Sequence, residues 1–314
     1  MNRFFLFALW LIALGAAPAA PEPHVVFVTG DEEYRSEESM PMLAQILERD
    51  HGCRVSIAYS LDDKGFVDPN NTKDVTGIEA LKSADLLVLF TRFRNWPEAK
   101  FQVFLDYIAQ GKPLVGFRTA THAFRFPQGH RHEAWNGTKI AELVGQKWLT
   151  HHGHHGTQVL TKVRPLNAAK SHPILRGVKP FDAYSWLYHV QGGEDKLHGD
   201  VTLLVEGTAL KSKHQRAKNL KSYPLTGPTA WVKTYTGTNG RKGRVFFSTI
   251  AHPYDFKAGA NRTLSLNGIL WALGMEDKIP AEGCSPKLAA KYDPNDAGFG
   301  KIFKQGLKPS FLPR

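Results

Sequence analysis

The amino-acid sequence predicts an α/β fold with a doubly wound, mostly parallel β-sheet. Short apolar runs rich in β-branched residues alternate along the chain with segments whose apolar residues recur at helical spacing. Alternation of this kind favours parallel strands connected by helices on both faces of the sheet. A less periodic segment between residues 150 and 235 predicts an irregular, β-rich subregion inserted into the same domain.

The first half of the chain supplies four predicted strands and two predicted helices. The strands are the runs His24–Thr29, Cys53–Tyr59, Ala84–Phe90 and Pro113–Phe117. The first helix is predicted over Glu37–Asp50, with Met40, Leu43 and Leu47 at helical spacing. The second begins at Pro97 and stops before a glycine, as proline at a helix start and glycine at a helix end predict.

The second half of the chain returns to regular structure after the irregular subregion. Within that subregion, Thr202–Glu206 and Thr229–Thr234 resemble short strands. Beyond it, Arg244–Ile250 predicts a buried strand and Asn261–Leu273 predicts a helix. We therefore expect one α/β domain over residues 21–275 and a coil tail, residues 276–314, that packs on it.

The composition excludes several classes of protein. The 314 residues are 42% hydrophobic and 22% charged, which excludes disorder as the main state. The two cysteines cannot form a disulfide scaffold; Cys53 and Cys284 either pair, or Cys53 is a buried free thiol. The net charge of +11 favours anionic partners, but the basic residues are dispersed and no nucleic-acid motif is present. We expect no specific nucleic-acid partner.

Residues 1–20 have the pattern of a secretory signal peptide. Arg3 supplies a short positive region, Phe4–Ala17 is continuously apolar, and an Ala-Pro-Ala cleavage sequence follows. The apolar stretch is too short to span a bilayer. We expect an exported protein, periplasmic or extracellular, that is not a transmembrane protein. An uncleaved N-terminal anchor is the alternative.

Four loops are expected to hold the chemistry, because parallel sheets bind ligands beyond the carboxyl ends of their strands. They cover residues 30–38, 91–96, 118–126 and 251–257. In the first loop Glu33 and Arg35 are functional candidates, although its charges would equally cap the following helix. The second loop offers Arg92 and Arg94 to a hydroxylated or anionic ligand. There Trp96 either stacks on a sugar or packs in the core.

The third and fourth loops add candidate catalytic groups. The third resembles a strand–nucleophile–helix turn, but its turn residue is Arg118, which cannot be a nucleophile. We expect Arg118 and Thr119 to contact substrate and His122 to act as a ligand or acid–base group. In the fourth loop His252 follows a strand end, which suits proton transfer or metal ligation, and Asp255 is positioned to orient it. A histidine filling a polar gap is the alternative.

Histidines cluster along this chain. It contains 14, and those between residues 130 and 155 are His130, His132, His151, His152, His154 and His155. A divalent metal, zinc or similar, held by His122, His152 and His252 is a candidate cofactor. A polar loop whose histidines bind carbonyls and water is the alternative. His155 and Tyr188 are further candidates for contacting substrate.

Several segments resemble the trehalose-utilisation (ThuA-like) family, whose fold is flavodoxin-like and is that of the class I glutamine amidotransferases. The resemblance spans residues 24–275, and the tail looks like that of secreted members. The matching segments are VVFVTG at 25–30, ADLLVLF at 84–90, GKPLVGFRTATHAF at 111–124, HPILRGV at 172–178, PTAWVKTY at 228–235, GRVFFSTIAHPYDF at 243–256 and LNGILWALG at 266–274.

The resemblance implies a link to sugar utilisation, including oxidised (3-keto) sugars, and a metal held through histidines in some members. It carries over His122, one of His151 or His152, and His252. In the amidotransferase fold a nucleophilic cysteine occupies the turn where this chain has Arg118 and where ThuA-like proteins often have histidine. Neither cysteine lies at that turn, so a cysteine-dependent glutamine amidotransferase is excluded.

Two functions are consistent with these residues. The first is an exported carbohydrate-processing enzyme that acts on a glycoside or 3-keto sugar by hydrolysis or proton transfer. Its catalytic groups would be His252, His122 and Glu33, with a metal or an arginine stabilising an enediolate. The second is a non-catalytic module that binds a sugar or a polyanion on a degenerate amidotransferase-like scaffold. The expected partner is a small-molecule carbohydrate.

Overall fold

The computed structural model describes residues 22–153, 160–189, 196–210 and 224–313. The predicted signal peptide and His155 lie outside these ranges. Across the described ranges, no helix combines the length and the apolar character that a membrane crossing requires.

Nine strands of the described ranges form one sheet, in the order β2-β1-β3-β4-β9-β8-β7-β5-β6. In chain order they are β1 (His24–Gly30), β2 (Arg54–Ala58), β3 (Leu86–Thr91), β4 (Leu114–Phe117), β5 (Thr161–Pro165), β6 (Phe181–Ala183), β7 (Thr202–Ala209), β8 (Thr226–Thr236) and β9 (Lys242–Ser248).

The sheet has a parallel half and an antiparallel half. Strands β2, β1, β3, β4 and β9 run parallel, and β8, β7, β5 and β6 extend the sheet with antiparallel pairings. The parallel strands β1, β3 and β4 are buried along their whole length, which explains their continuous apolar sequences. The predicted α/β fold is confirmed, and the irregular subregion supplies the antiparallel half.

Helices cover both faces of the sheet. They are α1 (Ser36–His51), α2 (Glu98–Ala109), α3 (Thr138–Val144) and α4 (Gly259–Ala272). Leu43 of α1 and Leu266 of α4 share one apolar cluster with Phe27 of β1. Phe101 of α2 shares a second cluster with Val28 of β1. Because successive strand residues face opposite sides, β1 contributes to both clusters.

The two cysteines and the tail complete the packing. Cys53 and Cys284 are buried free thiols, and burial raises the pKa of Cys53 to about 11. The tail lies along the β2 side of the sheet. There Ile57 donates its backbone N–H to the carbonyl of Phe311 at 2.8 Å.

Candidate active site

The candidate site lies where the parallel strands β1, β3, β4 and β9 end. Four loops follow these strand ends: the first loop (residues 31–35), the second loop (92–96), the elbow loop (118–122) and the late loop (249–255). The strands are parallel neighbours, so their carboxyl ends share one edge of the sheet.

Asp31 organises the first loop and ties it to the elbow loop. Its buried carboxylate accepts the backbone N–H groups of Glu33 at 2.8 Å and Tyr34 at 3.0 Å. Its second oxygen accepts the hydroxyl of Thr119. Thr119 is fully buried, so the structure places it as a contact between loops rather than as a group exposed to substrate.

Glu33 is a nearly buried carboxyl group of the first loop that lies beside Arg92. Its side chain is 7% exposed, and its Oε2 lies 3.1 Å from Nε of Arg92. Burial raises the pKa of Glu33 to about 7, Arg92 opposes that rise, and Asp31 adds to it. A carboxyl group with this pKa exchanges protons readily at neutral pH, which suits acid–base chemistry.

The two arginines of the second loop differ in their surroundings. The carboxylate of Glu32 bridges them, pairing with both Arg92 and Arg94. Arg94 is fully buried and also donates to the carbonyl of Pro69 at 3.0 Å, so it supports the main chain. The Arg92 side chain is 15% exposed, and its guanidinium carbon lies 4.4 Å from the ring centroid of Phe93. Arg92 is therefore the arginine of this pair that a ligand can approach.

Arg35, expected to contact substrate, instead holds main-chain atoms. It is fully buried, has a φ of 55°, and immediately precedes α1. Its Nη2 donates to the carbonyl of Glu32 and, at 2.7 Å, to the carbonyl of Gly298 in the tail. The guanidinium thus connects the first loop to the C-terminal tail.

Arg118 occupies the elbow with a φ of 40° and a fully buried guanidinium. Nη1 donates to the carbonyls of Thr249 at 2.9 Å and Trp186 at 3.3 Å, and Nη2 donates to the hydroxyl of Tyr34 at 2.9 Å. The guanidinium also lies over the rings of Tyr34 and Tyr188, at 4.2 and 4.7 Å. Arg118 and Tyr188 were both expected to contact substrate; the structure places them in this buried cluster.

His122 ends the elbow loop between two aromatic rings. Its ring centroid lies 4.9 Å from that of Phe93 and 4.7 Å from that of Trp148. Burial, together with Arg92 and Arg118, holds the pKa of His122 well below 6.5. At neutral pH the imidazole is uncharged, and its Nδ1 lies 3.0 Å from the hydroxyl of Thr121.

His252 pairs with a carboxylate that the sequence did not point to. Its Nδ1 accepts the backbone N–H of Tyr254 at 3.1 Å, so the neutral ring carries its proton on Nε2. Nε2 lies 3.3 Å from Oδ1 of Asp296 in the tail. Asp255, expected to orient the imidazole, instead accepts the backbone N–H of His252 at 2.9 Å and the hydroxyl of Ser185 at 2.6 Å.

The three histidines expected to hold a metal have separate partners. Nε2 of His152 lies 3.1 Å from the carbonyl of Pro224, and its ring lies 4.3 Å from that of His189. His122 lies beside Thr121, and His252 beside Asp296. Among the residues that the structure describes, no three His, Cys, Asp or Glu side chains form a metal-binding group. A metal held by His122, His152 and His252 therefore stays a prediction from the sequence, and no step below depends on one.

Aromatic side chains surround the polar centre, although Trp96 is not among them. Trp96 is buried in the core, where its ring centroid lies 5.2 Å from that of Phe124. Sequence reasoning missed the partly exposed rings of the site, because they come from segments far apart in the chain. These rings are Phe93, Trp148, Tyr184 and Phe299, and they are joined by His151, which the sequence did single out as an alternative to His152.

The fold and the site together define a flavodoxin-like α/β protein whose elbow position holds a buried arginine. The model of the ThuA family, described as trehalose utilisation, matches residues 24–272. The chain therefore belongs to the ThuA family. Membership supports a role related to sugar metabolism.

Solved structures of ThuA-like proteins are among those to which the chain was found to be similar. A ThuA-like protein from Parabacteroides merdae has 17% sequence identity and a TM-score of 0.50, over 91% of this chain and 100% of its own. A ThuA-like protein from Bacteroides uniformis has 18% identity and a TM-score of 0.44, over 82% of this chain and 95% of its own. The first likeness supports the fold. None of the curated proteins compared with the chain matches it.

Proposed function

We propose that this protein is a carbohydrate-processing enzyme that moves a proton on an oxidised (3-keto) sugar. The family supports the coarser part of this proposal, a role related to sugar metabolism. One observation carries the finer part. The carboxyl group of Glu33, with a pKa of about 7, lies 3.1 Å from the guanidinium of Arg92.

A carboxylate base beside a guanidinium fits proton abstraction next to a ketone. Glu33 takes the proton from the carbon beside the carbonyl, and the C–H electron pair becomes a C=C bond. The carbonyl π pair moves to oxygen, which gives an enediolate. Arg92 stabilises the negative charge through a preorganised, charge-assisted contact. Return of the proton from Glu33 to carbon completes the step without any change in oxidation state.

The surrounding rings support a sugar as the ligand. Aromatic faces present apolar surface to the C–H faces of a pyranose, while polar edges remain available for its hydroxyl groups. Ring contacts run from Phe93 through His122 to Trp148, and His151 stacks on Trp186 at 4.3 Å. This arrangement places apolar surface beside the Glu33–Arg92 pair, as a carbohydrate site requires.

Solvent exchange at carbon tests the proposal. Methyl 3-keto-glucoside is incubated with the protein in D2O, and proton NMR follows loss of the C2–H and C4–H signals. We expect Glu33→Gln to reduce the enzymatic exchange rate about 100-fold or more, because it removes the base. Glu98→Gln, the same change at an exposed glutamate paired with Arg131, serves as the control.

Each outcome of that assay is informative. Equal exchange by the wild type and Glu33→Gln would remove Glu33 as the base. Binding of the keto sugar by wild-type protein, without exchange above the buffer rate, would instead favour the sugar-binding module.

Export forms part of the proposal and is supported by the residue pattern at positions 1–20. N-terminal sequencing of the mature protein, recovered from the periplasm or medium of an expressing bacterium, checks it. We expect a chain that starts near residue 20. A full-length N-terminus would contradict cleavage.

A further inference from the structure

The C-terminal tail is fixed to the first loop by hydrogen bonds of the backbone N–H and the carbonyl of Gly298. The backbone N–H of Gly298 donates to the carbonyl of Glu33 at 2.8 Å. The carbonyl of Gly298 accepts Nη2 of Arg35 at 2.7 Å. Both partners in the first loop flank Tyr34, whose hydroxyl binds Arg118. The tail at Gly298 is therefore held directly against the loop that carries the proposed base.

Further contacts hold the tail on either side of this point. The carboxylate of Glu38 in α1 accepts the backbone N–H of Asn295 at 3.3 Å and pairs with Lys304. The hydroxyl of Tyr292 donates to the carbonyl of Pro253 in the late loop at 2.9 Å. The tail segment between residues 292 and 304 thus bridges the first loop, α1 and the late loop. It lies beyond residues 24–272, which the family model matches.

Asp296 lies within this tail segment and faces His252. The imidazole side chain is 6% exposed, whereas the carboxylate side chain is 29% exposed. Nδ1 of His252 receives the N–H of Tyr254 at 3.1 Å, and Nε2 lies 3.3 Å from Oδ1 of Asp296. The histidine is therefore the buried partner that fixes the pair, and the carboxylate is the partner that a ligand can reach.

We propose that Asp296 is a substrate-binding carboxylate of this site, supplied by the tail and oriented by His252. Oδ1 of Asp296 also accepts the backbone N–H of Ala297 at 2.8 Å, so the remaining lone pairs of the carboxylate accept a hydrogen bond from a hydroxyl group of the sugar, while Glu33 acts at carbon. His252 is then a positioning residue, since it acts on the sugar through Asp296. The identity of the ligand rests on the proposed function, whereas the pairing of Asp296 with His252 does not.

Binding of deoxy sugars tests the contact with the ligand. Calorimetry measures the Kd of methyl 3-keto-glucoside and of its 2-, 4- and 6-deoxy forms for wild-type protein and Asp296→Ala. We expect Asp296→Ala to weaken binding of the parent sugar about 10- to 100-fold, the range for a hydrogen bond to a charged group. For the wild type, one deoxy sugar should bind more weakly than the parent sugar by about the same factor. In Asp296→Ala that deoxy sugar and the parent sugar should bind equally well.

Matched variants separate a specific contact from a disturbed tail. Asp293→Ala removes an exposed carboxylate of the same segment, paired with Lys291, and should leave every Kd within about twofold. Asp296→Glu keeps the charge and should recover part of the affinity. Deoxy penalties that stay unchanged in Asp296→Ala would overturn the proposed contact.

A spectroscopic readout tests the pairing without any sugar. Histidine labelled with nitrogen-15 reports which ring nitrogen carries the proton. We expect His252 to show a protonated Nε2 whose resonance shifts in Asp296→Ala and not in Asp293→Ala. An unshifted resonance would overturn the pairing whatever the binding data show. If the wild type binds the sugars without catalysing exchange, the proposed chemistry fails, and the deoxy comparison still decides the role of Asp296.

Discussion

The first loop and the elbow loop have similar backbone geometry but different roles. Each contains a fully buried arginine with positive φ, Arg35 at 55° and Arg118 at 40°. Such backbone angles are uncommon for residues other than glycine and persist where surrounding contacts hold them. Both guanidinium groups bind protein atoms: Arg35 holds the tail, and Arg118 holds the late loop and Tyr34.

The two loops differ in what they leave accessible. In the elbow loop every residue is buried, and even His122 is only 4% exposed. In the first loop the carboxyl group of Glu33 lies beside the partly exposed Arg92, and the carbonyl of Glu33 accepts the backbone N–H of Gly298 in the tail. The position that carries the nucleophile in related folds therefore serves as a structural support here. The groups suited to chemistry lie on the first loop and on the tail.

Removing the elbow guanidinium should cause the largest loss of stability. Arg118→Met leaves the carbonyls of Thr249 and Trp186 without their donor and removes the cation from the ring of Tyr34. Relief from burying a charge offsets part of this loss. We expect the free energy of unfolding to fall by about 3 kcal/mol, since each unsatisfied buried group costs roughly 1 to 3 kcal/mol. Urea denaturation measures it.

A surface arginine supplies the comparison for Arg118. Arg131, whose side chain is 69% exposed, forms a pair with Glu98, and Arg131→Met should change the unfolding free energy by less than about 0.5 kcal/mol. Equal stabilities of the two methionine variants would contradict a supporting role for Arg118. Glu33→Gln should show the reverse pattern, with activity lost and stability retained.

A second buried carboxyl group, beside the first loop, should make stability depend on pH. Glu37 in the first turn of α1 lies 3.8 Å from Arg35, and burial raises its pKa to about 8. Between pH 4.5 and 8 the folded state keeps this proton, whereas the unfolded state releases it, so stability falls as pH rises. We expect Glu37→Gln to be close to the wild type near pH 5 and more stable at pH 8, by roughly 1.4 kcal/mol for each pH unit over which the folded state keeps the proton and the unfolded state has lost it.

The same substitution at Glu48, an exposed residue of the same helix, is the control for Glu37→Gln. Glu48→Gln on the same helix should show a difference from wild type that does not vary with pH. Buried neutral histidines such as His122 make stability rise with pH below pH 6.5, which is opposite to the effect of Glu37. The unfolding free energies of variant and wild type are therefore compared at each pH. A Glu37→Gln curve parallel to the wild-type curve would show that Glu37 is ionised in the folded protein.

The fold could be predicted because its parallel half obeys simple rules. The strand over 24–30, the glycine-terminated helix over 36–51 and the apolar run over 86–91 each carry a local signature, and both sheet faces are covered by helices. In the antiparallel half only parts of β7 and β8 were predicted, within a β-rich subregion expected to be irregular. Its strands β5 and β6 are short and alternate exposed with buried positions, which gives a weak apolar signal.

The site could be predicted only as far as the strand-end rule reaches. That rule located the loops that carry Glu33, Arg92, Arg118 and His252. It could not predict which of the arginines donates its hydrogen bonds to buried main-chain carbonyls. Arg92 and Arg118 have the same side chain, and only packing separates them. Asp296 was missed because it lies in a coil segment with no periodicity, and its role depends on where the tail crosses the sheet edge.

The pH dependence of the exchange rate shows which of the two loops carries the base, although the expected change in rate is smaller than the loss caused by Glu33→Gln. If Glu33 is the base, the reactive form is its carboxylate, whose fraction rises through a pKa of about 7. Exchange by the wild type should then increase about tenfold between pH 6 and pH 8 and level off above. The buffer-catalysed rate is subtracted at each pH.

The elbow loop predicts a different curve for the same experiment. The pKa of His122 lies well below 6.5, so its imidazole is already the neutral, proton-accepting form at pH 6. A reaction that used His122 as its base would be nearly flat between pH 6 and pH 8. A flat profile that His122→Gln abolishes and Glu33→Gln spares would assign the chemistry to the elbow loop. A rising profile that Glu33→Gln abolishes would assign it to the first loop, where burial sets the pKa of the carboxyl group close to neutrality.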